Sequence, residues 1–185
     1  MKFFIIHGTY SNPSSNWFPW LKKELEELGH EVFVPKFPTP ENQTLENWMK
    51  VFDDYIDKVD SNTIFIAHSI GPAFVLSVLE NINIKVRACF FVAGGLSESG
   101  TSDIDKFIYT FLMKDFDWGR IKENCENFYM FHSDNDPYVP IEKAEDFAKK
   151  LNITITKVPN AGHFNKDAGY IKFDLLLEKI KEIII

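Results

Sequence analysis

Short apolar runs alternate along this chain with stripes of apolar residues at helical spacing. Lys2 to Ile6 reads as a first strand, ending at His7-Gly8-Thr9, and a polar loop follows from Tyr10 to Asn16. Pro19 fits the first position of a helix that carries Leu21, Leu25 and Leu28 on one face, with Gly29 ending it. Glu31 to Phe37 predicts a second strand, closed by Pro38 and Pro40. Thr44 suits the N-cap of a helix with Leu45, Trp48, Met49, Phe52, Tyr55, Ile56 and Val59 at helical spacing, an aromatic stripe best read as core. Thr63 to Ala67 is an apolar, β-branched run of the kind buried on both faces of a sheet, and from Phe74 the residues suit a buried helix.

The second half repeats the alternation. Val86 to Ala93 predicts a fourth strand running into Gly94-Gly95, then a polar Ser/Gly/Thr stretch from Leu96 to Ser102. A helix follows with Ile104, Phe107, Ile108, Phe111 and Leu112 on one face, and Asp115 to Cys125 gives an aromatic corner and a short helical segment. Phe128 to Phe131 is a fifth strand, Ile141 to Leu151 a helix, Ile153 to Val158 a sixth strand, and the chain ends in a helix using Phe173, Leu176, Leu177, Ile180 and Ile183. Strand and helix alternating throughout predict an α/β fold: a doubly wound parallel sheet of about six strands with helices on both faces. The 185 residues are expected to form a single domain, residues 1–185, with a sizeable core.

Composition narrows the function. A net charge of −7 gives no support for nucleic-acid binding. Cys89 and Cys125 are the only cysteines and have no close-spaced pattern, which points to a reducing compartment. The apolar start, Phe3 to Ile6, is too short for a signal-peptide core, and no segment reaches membrane-spanning length. A cytoplasmic protein acting on a small molecule, with no nucleic acid and no membrane as partner, is expected.

The chemistry gathers around Ala67-His68-Ser69-Ile70-Gly71, where strand passes to helix with almost no linker. A serine at the apex of so sharp a turn is a nucleophile elbow, in which the residues two before and two after must be small. Gly71 and Ala67 meet that demand, and Pro72 sits where a first helical turn tolerates a missing N–H. By itself the pattern is weak, because a serine there is often only a helix cap.

A serine needs a base, and the base needs a carboxylate to fix its tautomer. Read from the amino end, the chain offers Ser69, then Asp134 or Asp136, then His163, each in a loop after a separate strand. Ser, acid, His is the α/β-hydrolase order. Asp136 is preferred as the acid because Pro137 biases it towards an extended backbone, whereas Asp134 reads as a turn carboxylate. The N–H of Ile70 and a second one from Thr9 or Tyr10 are the candidate oxyanion donors. His7 and Gly8 are expected to line the site, and Trp17, Phe18, Tyr109, Phe116, Trp118 and Phe164 are candidates for a substrate pocket, although most of that set could equally be core. His68 reads as packing, His132 as the end of a strand, and His30 as a turn residue. No histidine has the company expected of a zinc site, and no glycine-rich loop matches a phosphate or dinucleotide fingerprint. No metal and no cofactor are expected.

Taken together, Ala67-His68-Ser69-Ile70-Gly71, Asp136-Pro137-Tyr138-Val139-Pro140 and Gly162-His163-Phe164 resemble the small α/β-hydrolases grouped with retinoblastoma-binding protein 9 and the bacterial YdeN proteins. The resemblance extends to Trp17 through Leu28 and to the corner from Trp118 to Cys125. It implies a compact serine hydrolase without a large cap domain, with Ser69 as nucleophile, His163 as base and Asp136 as acid. Ala67 departs from the family's frequent glycine. The retinoblastoma-binding pattern Leu-x-Cys-x-Glu is absent, since Cys125 and Glu126 are adjacent, so that partner is not carried over. The expected reaction is hydrolysis of a small carboxylic ester or amide through an acyl-enzyme. A thioesterase or acyltransferase with the same three residues, or a binding protein on the hydrolase fold, is the alternative.

Overall fold

Six parallel strands make one sheet in the computed structural model of the chain, which describes residues 1–96 and 102–184. They are β1 (Lys2–Ile6), β2 (Glu31–Phe33), β3 (Thr63–His68), β4 (Ala88–Val92), β5 (Phe128–Ser133) and β6 (Ile155–Val158), in the spatial order β2-β1-β3-β4-β5-β6. Every adjacent pair runs parallel. Among the described residues the α-helices are α1 (Phe18–Glu27), α2 (Leu45–Asp53), α3 (Gly71–Asn81), α4 (Ser102–Leu112), α5 (Trp118–Glu123), α6 (Ile141–Leu151) and α7 (Asp174–Ile184).

Side chains alternate across the sheet and feed two separate cores. Phe4, Ile6, Phe65, Ala67, Cys89, Phe91 and Met130 point to the face covered by α2 to α6. Phe3, Ile5, Ile64, Ile66, Phe90, Val92 and Phe131 point to the face covered by α1 and α7. The aromatic stripe of α2 packs as core: Trp48 stacks on Phe37 with ring centroids 4.5 Å apart and meets Phe74 and Phe111 edge-on. From β1 the chain winds to β2 on one side and then crosses to β3 on the other. The switch point therefore lies between β1 and β3, where sheets of this kind hold their ligands at the carboxyl edge.

Several element boundaries differ from the pattern in the sequence. β2 stops at Phe33 rather than Phe37, because the chain leaves the sheet and the Phe37 N–H donates to Nε2 of His7 instead (3.1 Å). The helix from Leu45 does not run to Val59. It ends at Asp53, a 3₁₀ turn covers Ile56–Lys58, and Val59 is extended. Leu28 is exposed, past the end of α1, where Gly29 takes a φ of +84°. β4 spans only Ala88–Val92, with Val86 joined to Cys125 by an isolated bridge, and β6 begins at Ile155. β3 and β5 instead run longer than their apolar stretches, to His68 and Ser133, since backbone pairing continues past the last apolar residue. Thr44 caps α2 as expected, its hydroxyl accepting the Asn47 N–H at 3.1 Å. Of the polar stretch from Leu96 to Ser102, residues 97–101 lie outside the described residues.

Candidate active site

The turn after β3 is as tight as the small residues demand. Ser69 has a φ of +61°, a left-handed conformation that costs a non-glycine residue on the order of 1 kcal/mol or more. The sheet holds it there, because the Ser69 N–H donates to the Val92 carbonyl (3.0 Å). At Gly71, an added Cβ would sit 2.9 Å from the Ile6 carbonyl oxygen and 3.3 Å from the Ala67 Cβ, so helix and strand approach as closely as they do only because this residue has no side chain. Gly8 lies against the serine in the same way. A Cβ there would meet the Ser69 Cβ at 2.6 Å and its Oγ at 3.1 Å.

Three loops bring Ser69, His163 and Asp136 into series. Oδ2 of Asp136 lies 2.8 Å from Nδ1 of His163, and Nε2 of His163 lies 3.0 Å from Oγ of Ser69. An ionised carboxylate can only accept, so Nδ1 carries the proton and Nε2 is left to accept from the serine hydroxyl. The Asp136 side chain is fully buried, which pushes its pKa up. The hydrogen bond and charge of His163, together with the Tyr138 and Val139 N–H groups on Oδ1 (2.9 and 3.0 Å), outweigh that and hold the carboxyl below its ordinary range. Tyr138 meets the His163 ring edge-on at 4.9 Å.

The loop carrying His163 is fastened by a polar clamp that the sequence did not single out. Three consecutive N–H groups, of Asn160, Ala161 and Gly162, donate to Oδ1 of Asp134 (2.8 Å), Oγ of Ser133 (2.9 Å) and Oδ1 of Asn135 (2.8 Å). Asp134 is thus neither beside the imidazole nor a local turn carboxylate; it ties the loop after β6 to the loop after β5. Asp and Asn at loop positions are so common that the run Ser133-Asp134-Asn135 carries no signal of this role in sequence.

Two further histidines support the same loops. His68 is buried, and burial lowers its pKa to about 3, with the neighbouring His163 charge adding to the effect. It is therefore neutral at ordinary pH, and its Nε2–H donates to the His163 carbonyl (2.8 Å). His132, also lowered by burial, donates from Nε2 to the Val139 carbonyl (2.8 Å) and closes the loop that Asp136 occupies. His7 does not line the cleft. It is buried, with Nδ1–H donating to the Gly8 carbonyl (2.9 Å) and Nε2 accepting from Phe37, and burial lowers its pKa.

A cleft of about 780 Å³ opens above Ser69 and His163, within the ordinary size for a small-molecule site. Thr9, Tyr10 and Ile70, the candidate oxyanion donors, are among the residues that line it. The Tyr10 N–H, however, is occupied by Oγ1 of Thr39 (2.8 Å), whereas no described residue accepts from the Thr9 N–H. Gln43 holds this loop from behind, donating to Oγ1 of Thr9 (2.8 Å) and to the Phe107 carbonyl of α4 (3.1 Å).

The aromatic candidates for a substrate pocket do not gather here. Trp17, Phe18 and Phe164 are fully buried in the core beneath α1 and α7, where Nε1 of Trp17 donates to the Phe164 carbonyl (3.0 Å). Tyr109 is exposed and does not line the cleft, and Phe116 and Trp118 border a separate shallow depression beside α6. Large apolar side chains bury themselves wherever the core admits them, so ring content alone does not mark a pocket. Among the described residues, no three His, Cys, Asp or Glu side chains come together as a metal site.

The family model described as serine hydrolase matches residues 3–182. The chain belongs to the serine hydrolase family. Its relatives include YdeN of Bacillus subtilis (strain 168), 27% identical over 177 residues that cover 95% of this chain and 92% of YdeN. Serine hydrolase RBBP9 of Rattus norvegicus is 25% identical over 169 residues, covering 91% of this chain and 86% of that protein. The crystal structure of the B. subtilis ydeN gene product superposes with a TM-score of 0.92 at 25% identity, covering 99% of this chain and 98% of the other. Est1E from Butyrivibrio proteoclasticus shares the fold, with a TM-score of 0.69 at 16% identity over 97% of this chain and 89% of its own. The resemblance read from the three motifs is thereby shown. This serine hydrolase has the compact α/β-hydrolase fold.

Proposed function

We propose that this serine hydrolase cleaves a small carboxylic ester or amide through an acyl-enzyme, with Ser69 as nucleophile, His163 as general base and Asp136 as the acid that orients it. The observation that carries the reading is the unbroken series Ser69 Oγ, His163 Nε2 (3.0 Å), His163 Nδ1, Asp136 Oδ2 (2.8 Å). His163 removes the hydroxyl proton as Oγ attacks the carbonyl carbon, and Asp136 stabilises the imidazolium that forms. The same ring then protonates the leaving group and later takes a proton from the water that releases the acid.

The oxyanion needs fixed donors on the far side of the carbonyl, each typically worth about 2.7–4 kcal/mol. The N–H of Ile70, at the unsatisfied start of α3, supports one of them. Since Tyr10 is committed to Thr39, Thr9 is favoured over Tyr10 as the second. Two free, buried thiols, with sulfurs 3.6 Å apart, fit a reducing, cytoplasmic setting, and the whole of residues 1–185 is read as one catalytic domain.

A fluorophosphonate probe tests the reading. Wild-type protein should be labelled covalently, and labelling should vanish in Ser69→Ala while the fold is kept. Labelling that survives the substitution, or its absence from the wild type, would remove Ser69 as nucleophile. A panel of ester, amide and thioester substrates at matched acyl groups then assigns the reaction within the hydrolases.

A further inference from the structure

The two walls of the cleft are chemically unlike, and they stand on opposite sides of the sheet. On the side of α2 to α6, Ile104, Ile108 and Leu112 present an i, i+4, i+8 stripe from α4, continued by Val139 and Pro140, with Tyr138 and Lys143 beside them. On the side of α1 and α7, the wall is mostly polar: Ser14, Ser15 and Asn16 from the loop after β1, and Asn165, Lys166 and Asp167 from the loop after β6, with Ile171 as its one large aliphatic side chain among the described residues. These two polar loops are one surface, because Oδ1 of Asn16 accepts the Lys166 N–H (3.0 Å). Lys166 and Asp167 offset each other, so that wall carries no net charge. Ser69 and His163 lie between the two walls.

We infer that the cleft is built for a substrate of two unlike halves: a medium-length aliphatic acyl group and a neutral, hydroxyl-bearing leaving group. The inference rests on the triad reading for the orientation of those halves. His163 must reach the leaving atom, and the polar wall begins at Asn165, two residues beyond it. The leaving group therefore lies against hydroxyls and carboxamides. The carbonyl oxygen turns towards the N–H of Ile70, whose side chain lines the cleft with the aliphatic residues, so the acyl chain runs along α4. Burying a chain there removes apolar surface from water, a gain of roughly three- to fourfold per fully buried methylene.

A square of four esters reads both halves at once: glyceryl monohexanoate, glyceryl monoacetate, ethyl hexanoate and ethyl acetate. In kcat/KM, hexanoyl should exceed acetyl by at least about tenfold, and glyceryl should exceed ethyl at either acyl length. Ile104→Asn should collapse the first ratio and keep the second. Because that variant touches the packing of α4, the square on unmodified protein is decisive without it. Calorimetric binding of the same four esters to Ser69→Ala separates recognition from chemistry. Selective binding of glyceryl monohexanoate without turnover in the wild type would remove the triad chemistry and keep the ligand class. Turnover of all four at similar rates would keep the chemistry and overturn the ligand class.

Discussion

Nε2 of His68 donates to the backbone carbonyl of His163 across 2.8 Å, so the residue before the elbow serine holds the chain of the residue that faces it. The bond is a fixed one. Burial keeps His68 neutral, the acceptor is a carbonyl, and the proton therefore sits on Nε2. Its Nδ1 is buried without a partner among the described residues, which a neutral ring tolerates and a charged one does not. Replacing His68 by Leu fills the space but leaves the His163 carbonyl unpaired, a cost of about 1–3 kcal/mol in unfolding free energy. With the imidazole free to drift, kcat for a simple ester should fall on the order of tenfold. Unchanged kcat in a folded His68→Leu protein would reduce His68 to packing, the role its sequence position suggests.

Gly8 offers a sharper separation of site from fold. Its missing side chain is occupied by Ser69, whose Cβ would be 2.6 Å from a new methyl group. In Gly8→Ala the serine or the loop after β1 has to move by several tenths of an ångström or more. A misplacement approaching 1 Å costs on the order of a hundredfold in rate. We expect fluorophosphonate labelling to slow by about that factor in protein that circular dichroism shows to be folded. Rapid labelling of the alanine variant would mean that the two loops are not held together in solution.

The clamp on the His163 loop separates the two aspartates that sequence leaves in competition. Asp136→Asn removes the carboxylate on Nδ1 and should lower kcat about ten-thousandfold through the wrong tautomer. Asp134→Asn still presents an oxygen to the Asn160 N–H and should lose less than about tenfold. Asn135→Ala, which unpins Gly162 beside the imidazole, should fall between them and cost about 1 kcal/mol of stability. Steady-state kinetics on the three variants give the order directly, and a greater loss at Asp134 would reverse the assignment.

Local chemistry and periodicity made most of this molecule legible. The short apolar runs of the strands, the small residues around Ser69 and the Ser, Asp, His order each follow from short-range rules. What escaped depends on distant partners. Whether Tyr10 or Thr9 has a free N–H is decided by Thr39, some thirty positions away, and the Gln43 brace has no motif at all. The end of β2 at Phe33 is set by His7 capturing the Phe37 N–H. The aromatic residues misled for the opposite reason. Trp17, Phe18 and Phe164 sit close in sequence to polar loops but gain more by burial under α1 and α7 than by lining an open cleft.

Buried neutral histidines set a pH dependence of stability with a definite sign. An unfolded histidine titrates near 6.5, whereas folded His68 titrates near 3. Between these values the unfolded chain binds a proton that the folded chain refuses, so the contribution is fully present above pH 6.5 and is lost as pH falls towards 3. At pH 5 the loss from His68 alone is about 2 kcal/mol. His7 and His132, also lowered by burial, act in the same direction as pH falls below 6.5. Asp136 does not contribute there. Its carboxyl is held below its ordinary value near 3.8, so its share is present above that pH and disappears only at more acidic values. Urea unfolding at pH 7, 6 and 5 should therefore show a progressive fall in midpoint with an unchanged denaturant slope. The ring protons of His68 should keep their neutral chemical shift through pH 5. A His68 resonance titrating near pH 6.5, or equal stability at pH 7 and pH 5, would mean that water reaches this ring and that its bond to the His163 carbonyl is not the fixed one described.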